Sequence, residues 1–160
     1  MLAESLISDV IPSIKNKDNG QKALSWMDVF RVSHLPVVRN TEFLGMVSDK
    51  LIYDLNLLET PLQEQIDKLN TTHVHKSQHI FEVAILMYKL KLSVIAVLDT
   101  DHYYLGAITL YDLARRFASY FSLLEIGGVI ILEVNVIDYS VTEISRIVES
   151  NDTKILSLFM

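Results

Sequence analysis

Apolar positions along the chain change period in a fixed order, and that order occurs twice. A short apolar opener, Val10-Ile11-Pro12-Ser13-Ile14, leads into a polar stretch at Asp18. Ala23, Met27 and Phe30 then recur at three- and four-residue steps and predict an amphipathic helix. Two apolar runs follow, His34-Leu35-Pro36-Val37-Val38 and Phe43-Leu44-Gly45-Met46-Val47. The polar turn Arg39-Asn40-Thr41-Glu42 joins them into a predicted hairpin, with Pro36 expected at a strand start or edge because it lacks an N–H. A second helix begins at Ser48. In the second copy the opener is Asn70-Thr71-Thr72-His73-Val74, the helical stripe is Ile80, Val83, Ala84, Met87 and Leu90, and the hairpin runs from Val94–Leu98 through Asp99–His102 to Tyr104–Ile108. Its closing helix starts at Thr109. Asp18 with Gln21 forms a capping box for the first helix, and Ser77 is expected to cap the equivalent helix from a matching place.

The predicted fold class is α+β, with strand-helix-strand-strand-helix repeated over residues 1–59 and 60–122. Units this small cannot each bury a sheet alone, so the two sheets are expected to pack together with pseudo-twofold symmetry and to leave a cleft between them. The pattern then changes. Leu132, Val134 and Val136 alternate with polar neighbours after Gly127-Gly128 and predict a half-buried strand. Ser140 and Glu143 make another capping box ahead of Ile144, Ile147 and Val148, and Ile155 to Met160 reads as a closing strand. Residues 123–160 are thus expected to form a strand-helix-strand segment. A parallel pair with one crossover cannot cover both faces of its sheet, so the sequence is expected to belong to a longer protein or to complete this segment through a partner.

Composition narrows the chemistry. The 160 residues are 50% hydrophobic, which excludes a mostly disordered chain. A net charge of -6 lacks the basic excess that nucleic-acid backbones require. There is no cysteine, which removes disulfides, thiolate catalysis and cysteine-based metal sites, and fits a reducing, cytoplasmic setting. The Met1-Leu2-Ala3-Glu4-Ser5 start has no basic region ahead of an apolar core, and no run approaches the roughly 20 apolar residues of a membrane span, so neither a signal peptide nor a membrane location is expected. No Gly-x-Ser-x-Gly, Gly-Lys-Ser/Thr or His-Glu-x-x-His motif is present, and no catalytic activity is expected. His73 and His75 share one face of a strand with His79 nearby, but no carboxylate is spaced to join them, and solvated histidines are expected rather than a metal site. Trp26 is expected in the core or an interface, and the aromatic run Phe117, Tyr120 and Phe121 at a cleft edge or a subunit contact.

Gly106-Ala107-Ile108-Thr109-Leu110-Tyr111-Asp112 resembles the Gly-apolar-apolar-Ser/Thr-x-x-Asp signature of CBS (cystathionine beta-synthase) domains, and Gly45-Met46-Val47-Ser48 repeats its first half. His34-Leu35-Pro36-Val37-Val38 is similar to the strand that precedes it. The resemblance spans about three-quarters of the chain and implies a non-catalytic regulatory CBS pair. It also implies an adenosine-containing ligand, AMP, ADP, ATP or S-adenosylmethionine, with no obligatory cofactor, and a homodimer. By the same resemblance Asp112 holds ribose hydroxyls, Thr109 faces phosphate beside Gly106 and Ile108, and Ile11, Pro12 and Ser13 flank that site. Ser48 stands at the neighbouring half-site, which has Leu51 where the acid should stand, and His34 is expected to pack at the helix-strand junction, within reach of a phosphate. Physical chemistry permits the anion reading, because free N–H groups and a helix dipole meet at Thr109. It equally permits a capping box that needs no ligand. The tail resembles the first half of an ACT domain and, joined to a CBS pair, is similar to bacterial acetoin-utilisation proteins. Only Asp138 represents the ACT Asp-x-x-Gly turn. A ligand-free dimerisation scaffold and an amino-acid sensor acting through the tail are the alternative readings.

Overall fold

The computed structural model of the chain describes residues 1–135 and 139–159. Two compact units divide it, Met1–Ala114 and Arg115–Met160. The first unit holds two three-stranded sheets. One is ordered β1 (Ile14–Lys15), β2 (His34–Arg39), β3 (Glu42–Ser48), and the other β4 (His73–His75), β5 (Val94–Leu98), β6 (Tyr104–Thr109). In both, the opening strand pairs in parallel with the second and the second pairs antiparallel with the third. Helices α1 (Gly20–Phe30) and α2 (Asp49–Asp54) serve the first sheet, and α3 (Ile80–Leu90) and the start of α4 (Leu110–Tyr120) serve the second.

The repeat extends to fine detail. A bulge falls between Val37 and Val38 and again between Val97 and Leu98, and the helices end in left-handed residues at Arg31 and Lys91. The first core gathers Ile14, Ala23, Met27, Leu35, Val37 and Ile52 among others under α1 and α2. Met46, Val94, Ala96 and Ala107 form a second cluster, drawn from both sheets, which is where the repeats meet. Along that seam, equivalent residues touch: Phe43 stacks on Tyr104 with ring centroids 6.4 Å apart.

Each half also clasps the other's sequence neighbour. The 3-10 turn Ala3–Leu6 bonds to the second repeat, with Ala3 N donating to Gln78 O and Ile80 N to Met1 O. The matching turn Leu62–Lys68 bonds to the first, through Leu62 N to Asp18 O and Gln63 N to Asn16 O. Ser8 N donates to Ala107 O of β6, and Asn70 exchanges two bonds with Met46 of β3. Close passage of these segments requires glycine. A Cβ on Gly106 would lie 2.4 Å from Ile7 Cγ2, and one on Gly45 2.5 Å from Leu69 Cβ.

Several local expectations are corrected. The α1 cap is Asn19, whose side chain accepts from Lys22 N at 3.1 Å, rather than Asp18. Asp18 is occupied one step earlier, accepting from Lys15 N at 3.0 Å to close the turn out of β1. Gln78 does the same for His75 N, so it is Gln78 rather than Ser77 that matches Asp18, and His79 caps α3. Pro36 lies inside the central strand β2. Its missing N–H is tolerated because β1 pairs only with Val37 and Val38. The openers are largely not strands: only Ile14–Lys15 and His73–His75 form strands, Asn70 makes a single bridge to Met46, and Val10 is exposed.

In the second unit α5 (Val141–Glu149) forms as predicted, with Ser140 accepting from Glu143 N. The flanking strands do not form among described residues 127–135 and 155–159. A pair of strands by itself is only marginally stable in water, in keeping with the unpaired backbone at these positions. Val136, Asp138 and Met160, on which parts of the strand and ACT readings fell, lie outside the described residues. Phe117, Tyr120 and Phe121 cluster with one another, and Phe121 packs edge-on against Phe159 at 4.6 Å within this unit. No helix among the described residues is long and apolar enough to cross a membrane.

Candidate functional site

Two equivalent strand-to-helix junctions face the seam between the repeats. Ser48 ends β3 and caps α2, accepting from Leu51 N at 3.1 Å. Thr109 ends β6, is only 6% exposed, and its Oγ1 accepts from Asp112 N at 2.9 Å. The Thr109 hydroxyl also donates to Asp112 Oδ2 at 2.7 Å. Asp112 is thereby fixed over the first turn of α4, half-buried, with a carboxylate that has capacity for further donors beyond this one. At the other junction Leu51 occupies the corresponding turn and packs against the first core, so that site offers a hydroxyl and no carboxylate.

A polar cluster joins the junctions across the pseudo-twofold axis. Ser33 and Ser93, which precede β2 and β5, lie Oγ to Oγ at 3.2 Å, and Ser33 N donates to Ser93 Oγ at 2.9 Å. His34 Nδ1 is 3.1 Å from each hydroxyl and accepts from Ser93 N at 3.4 Å. The same serines receive the helix starts, Asp49 N donating to Ser33 O and Leu110 N to Ser93 O. Burial lowers the His34 pKa below its ordinary 6.5 and Asp49 opposes the shift in part, so the imidazole is held neutral as an acceptor at Nδ1.

The structure brings together Thr109 with Asp112 and His34 with Ser48, which are register partners across β2 and β3. Ile11 packs into the seam cluster beside Ala107. Gly106 admits the crossing segment at Ile7, and Ile108 is fully buried opposite Ile95, so its side chain serves the core. Pro12 and Ser13 are half-buried, and among the described residues no hydrogen bond ties them to Thr109 or Asp112. Ser33 and Ser93 were missed in the sequence, although their sixty-residue offset within Val32-Ser33 and Leu92-Ser93 was a visible signal.

His73 Nδ1 sits 2.9 Å from Thr71 O, His75 Nδ1 2.7 Å from Ser77 Oγ, and His79 caps a helix. No group of three or more metal-ligating side chains occurs among the described residues. Trp26 is half-buried on the first core, with Lys22 Nζ 5.0 Å from its ring centre. A cavity of about 270 Å³ between α1 and α2 and another of about 250 Å³ beside α5 are not lined by Thr109 or Asp112.

The sequence model of the CBS domain matches residues 60–119. Among solved structures, the chain is similar to a CBS domain pair/ACT domain protein from Thermotoga maritima, at 19% identity over 74% of this chain and 98% of that one, with a TM-score of 0.64. A protein described as an acetoin utilization protein, AcuB, from Vibrio cholerae matches at 22% identity over 78% and 96%, with a TM-score of 0.63. CBSX2, solved in complex with AMP, matches at 24% identity over 74% and 96%, with a TM-score of 0.56. Each likeness covers about three-quarters of this chain, and the first repeat reproduces the topology, bulge and glycine step of the second. The CBS domain model thus matches the second repeat, and the chain has the fold of a tandem CBS domain pair.

Proposed function

We propose that the protein is a non-catalytic regulatory module that binds an adenosine-containing ligand at the Thr109–Asp112 junction, acting as a homodimer in the cytoplasm. The observation that carries this reading is the fixed pairing of a nearly buried hydroxyl and a carboxylate at the head of α4, next to the segment that crosses from the first repeat. Asp112 has the chemistry to accept from paired ribose hydroxyls, and the N–H groups at the start of α4 to attract a phosphate. The complex of CBSX2 with AMP supports an adenosine nucleotide as the ligand class. By this reading Gly106 and Ile108 belong to the strand beneath, and Ile11, Pro12 and Ser13 flank the nucleoside. His34 and Ser48 hold the companion junction, which lacks the carboxylate.

Calorimetric titration with AMP, ADP, ATP and S-adenosylmethionine tests the proposal. One of them is expected to bind at one site per chain. No heat from any at about 1 mM protein, where a ligand held by only about 4 kcal/mol is still detected, would leave a structural scaffold as the reading. The enclosed geometry around Thr109 and the Leu51 substitution are what favour that second reading.

A further inference from the structure

Tyr104 carries a hydroxyl to a place in the seam between the repeats that has nothing to pair with it. The residue opens β6, and its ring packs on the cluster of Met46, Val94, Ala96 and Ala107 while stacking on Phe43. Its Oη is buried and, among the described residues, has no hydrogen-bond partner. A hydroxyl taken out of water and left unpaired costs stability. Buried polar groups are satisfied in the great majority of cases, and the exceptions gather where a protein does its work. Phe43 holds the equivalent place opposite Val38, as Tyr104 does opposite Leu98, and gives the seam the same ring without the oxygen. The ring therefore serves the packing and the oxygen does not.

The same strand joins this hydroxyl to the Thr109–Asp112 junction. Tyr104 begins β6 and Thr109 ends it, and the bulge absorbs one residue between Tyr104 and Gly106. Four paired steps remain, about 13 Å at about 3.3 Å each, which a nucleoside and a tyrosine side chain span between them. Ala107 lies between the two ends. Ile11 and Val32 pack on the cluster that contains Ala107, beside Tyr104, so the ground from the junction to the hydroxyl is apolar. A flat base resting there would meet aliphatic side chains on its faces and find a polar partner at the Tyr104 end.

We infer that the Tyr104 hydroxyl hydrogen-bonds the base of the ligand held at Thr109 and Asp112, and is the residue that makes the site specific for a nucleoside rather than for any sugar phosphate. The inference rests on the proposed function and assigns the recognition of the base, for which Thr109 and Asp112 supply nothing. Burial pushes the Tyr104 phenol above its ordinary 10, so it stays protonated, with one O–H to donate and lone pairs to accept. An adenine edge offers both ring nitrogens that accept and an amino group that donates. A ligand that lacks the matching group leaves the hydroxyl unpaired, which is how a buried polar group discriminates. At the first junction Leu51 replaces the acid and Phe43 the tyrosine, so both polar groups belong to the same copy.

Tyr104→Phe removes the oxygen and keeps the ring, on the full chain. Without ligand its Tm is expected to rise by about 2–4 °C, because an unpaired buried hydroxyl is gone. Its Kd for AMP, read by calorimetry, is expected to rise about 2- to 13-fold, the worth of one neutral hydrogen bond. Ribose 5-phosphate, titrated as a competitor of AMP, has the sugar and the phosphate without the base and is expected to behave alike with both chains. A Tm that falls with AMP affinity unchanged would make the hydroxyl a structural group satisfied by buried water. That result, equal AMP affinity in the two chains, or an equal loss for ribose 5-phosphate would overturn the assignment and leave the nucleotide reading standing. A wild type that binds no AMP would overturn the assignment together with AMP as the ligand.

Discussion

Asp112→Ala separates a ligand site from a helix cap, because the two roles use different atoms of the same residue. The cap bond runs from the Asp112 backbone N–H to Thr109 Oγ1 and survives the substitution, while the carboxylate and the bond it accepts from the Thr109 hydroxyl are lost. If the carboxylate takes ribose hydroxyls, its removal forfeits a charged hydrogen bond, about 1–3 kcal/mol, or about 5- to 150-fold in Kd. The stability cost is one partly exposed hydroxyl–carboxylate bond, about 1 kcal/mol, which lowers the Tm of a chain this size by about 2–4 °C. Thr109→Val deletes the cap and strands a half-buried N–H, costing about 0.5–2 kcal/mol of stability, and is expected to weaken affinity as well because the hydroxyl that fixes the Asp112 carboxylate is lost. Calorimetry with AMP and a melting curve on the same samples read both quantities, and Asp49→Ala, at the other junction, is expected to leave affinity unchanged. AMP binding to the Asp112→Ala chain with wild-type affinity would refute the ribose role and leave Thr109-x-x-Asp112 as a capping motif.

Three further outcomes follow from the geometry. Gly106→Ala is expected to cost about 1–3 kcal/mol by thermal melting, because its Cβ would stand 2.4 Å from Ile7 Cγ2, and adding Ile7→Ala is expected to return part of that loss; additive costs would mean that the crossing segment does not press on β6. Since burial depresses the His34 pKa, its contribution to stability is fully present above the ordinary 6.5 and falls away as pH drops from there through the folded value, where charging Nδ1 sets it against the Ser93 N–H. The wild type is therefore expected to lose more Tm between pH 7 and pH 5 than a His34→Asn chain, and parallel profiles would remove His34 as the cause. Leu51→Asp restores the missing acid at the first junction and is expected to raise the nucleotide stoichiometry from one to two per chain while lowering Tm, because Leu51 also packs on the first core; an unchanged stoichiometry would show that the carboxylate alone does not make the site.

The fold was legible because its period changes are written into single residues and then repeated. The stripe Ala23–Met27 and its counterpart Val83–Met87 could only be helices, and the Gly45 and Gly106 steps marked the hairpins' second strands before any coordinates. What escaped the sequence was decided by competition between neighbours for one backbone group. Asp18 and Asn19 are both good cap residues, and the choice fell to Asn19 only because Asp18 is drawn to Lys15 N at the end of β1, a strand two residues long that no periodicity announces. The tail failed for a different reason. Alternation at Leu132 and Val134 states a local preference, but two strands by themselves make only a marginally stable pair in water, so the preference alone does not decide the outcome. At the candidate site, Thr109 and Asp112 were visible as a spacing, whereas the Ser33–His34–Ser93 cluster is a product of pseudo-symmetry, bringing residues sixty positions apart to one axis. Internal repetition therefore carries information of a second kind. Where the two copies agree, as at Ser33 and Ser93, the shared residue serves the seam both halves build. Where they disagree at equivalent positions, as at Leu51 against Asp112, the first copy gives the position to its core and only the second keeps an acid that a ligand could use.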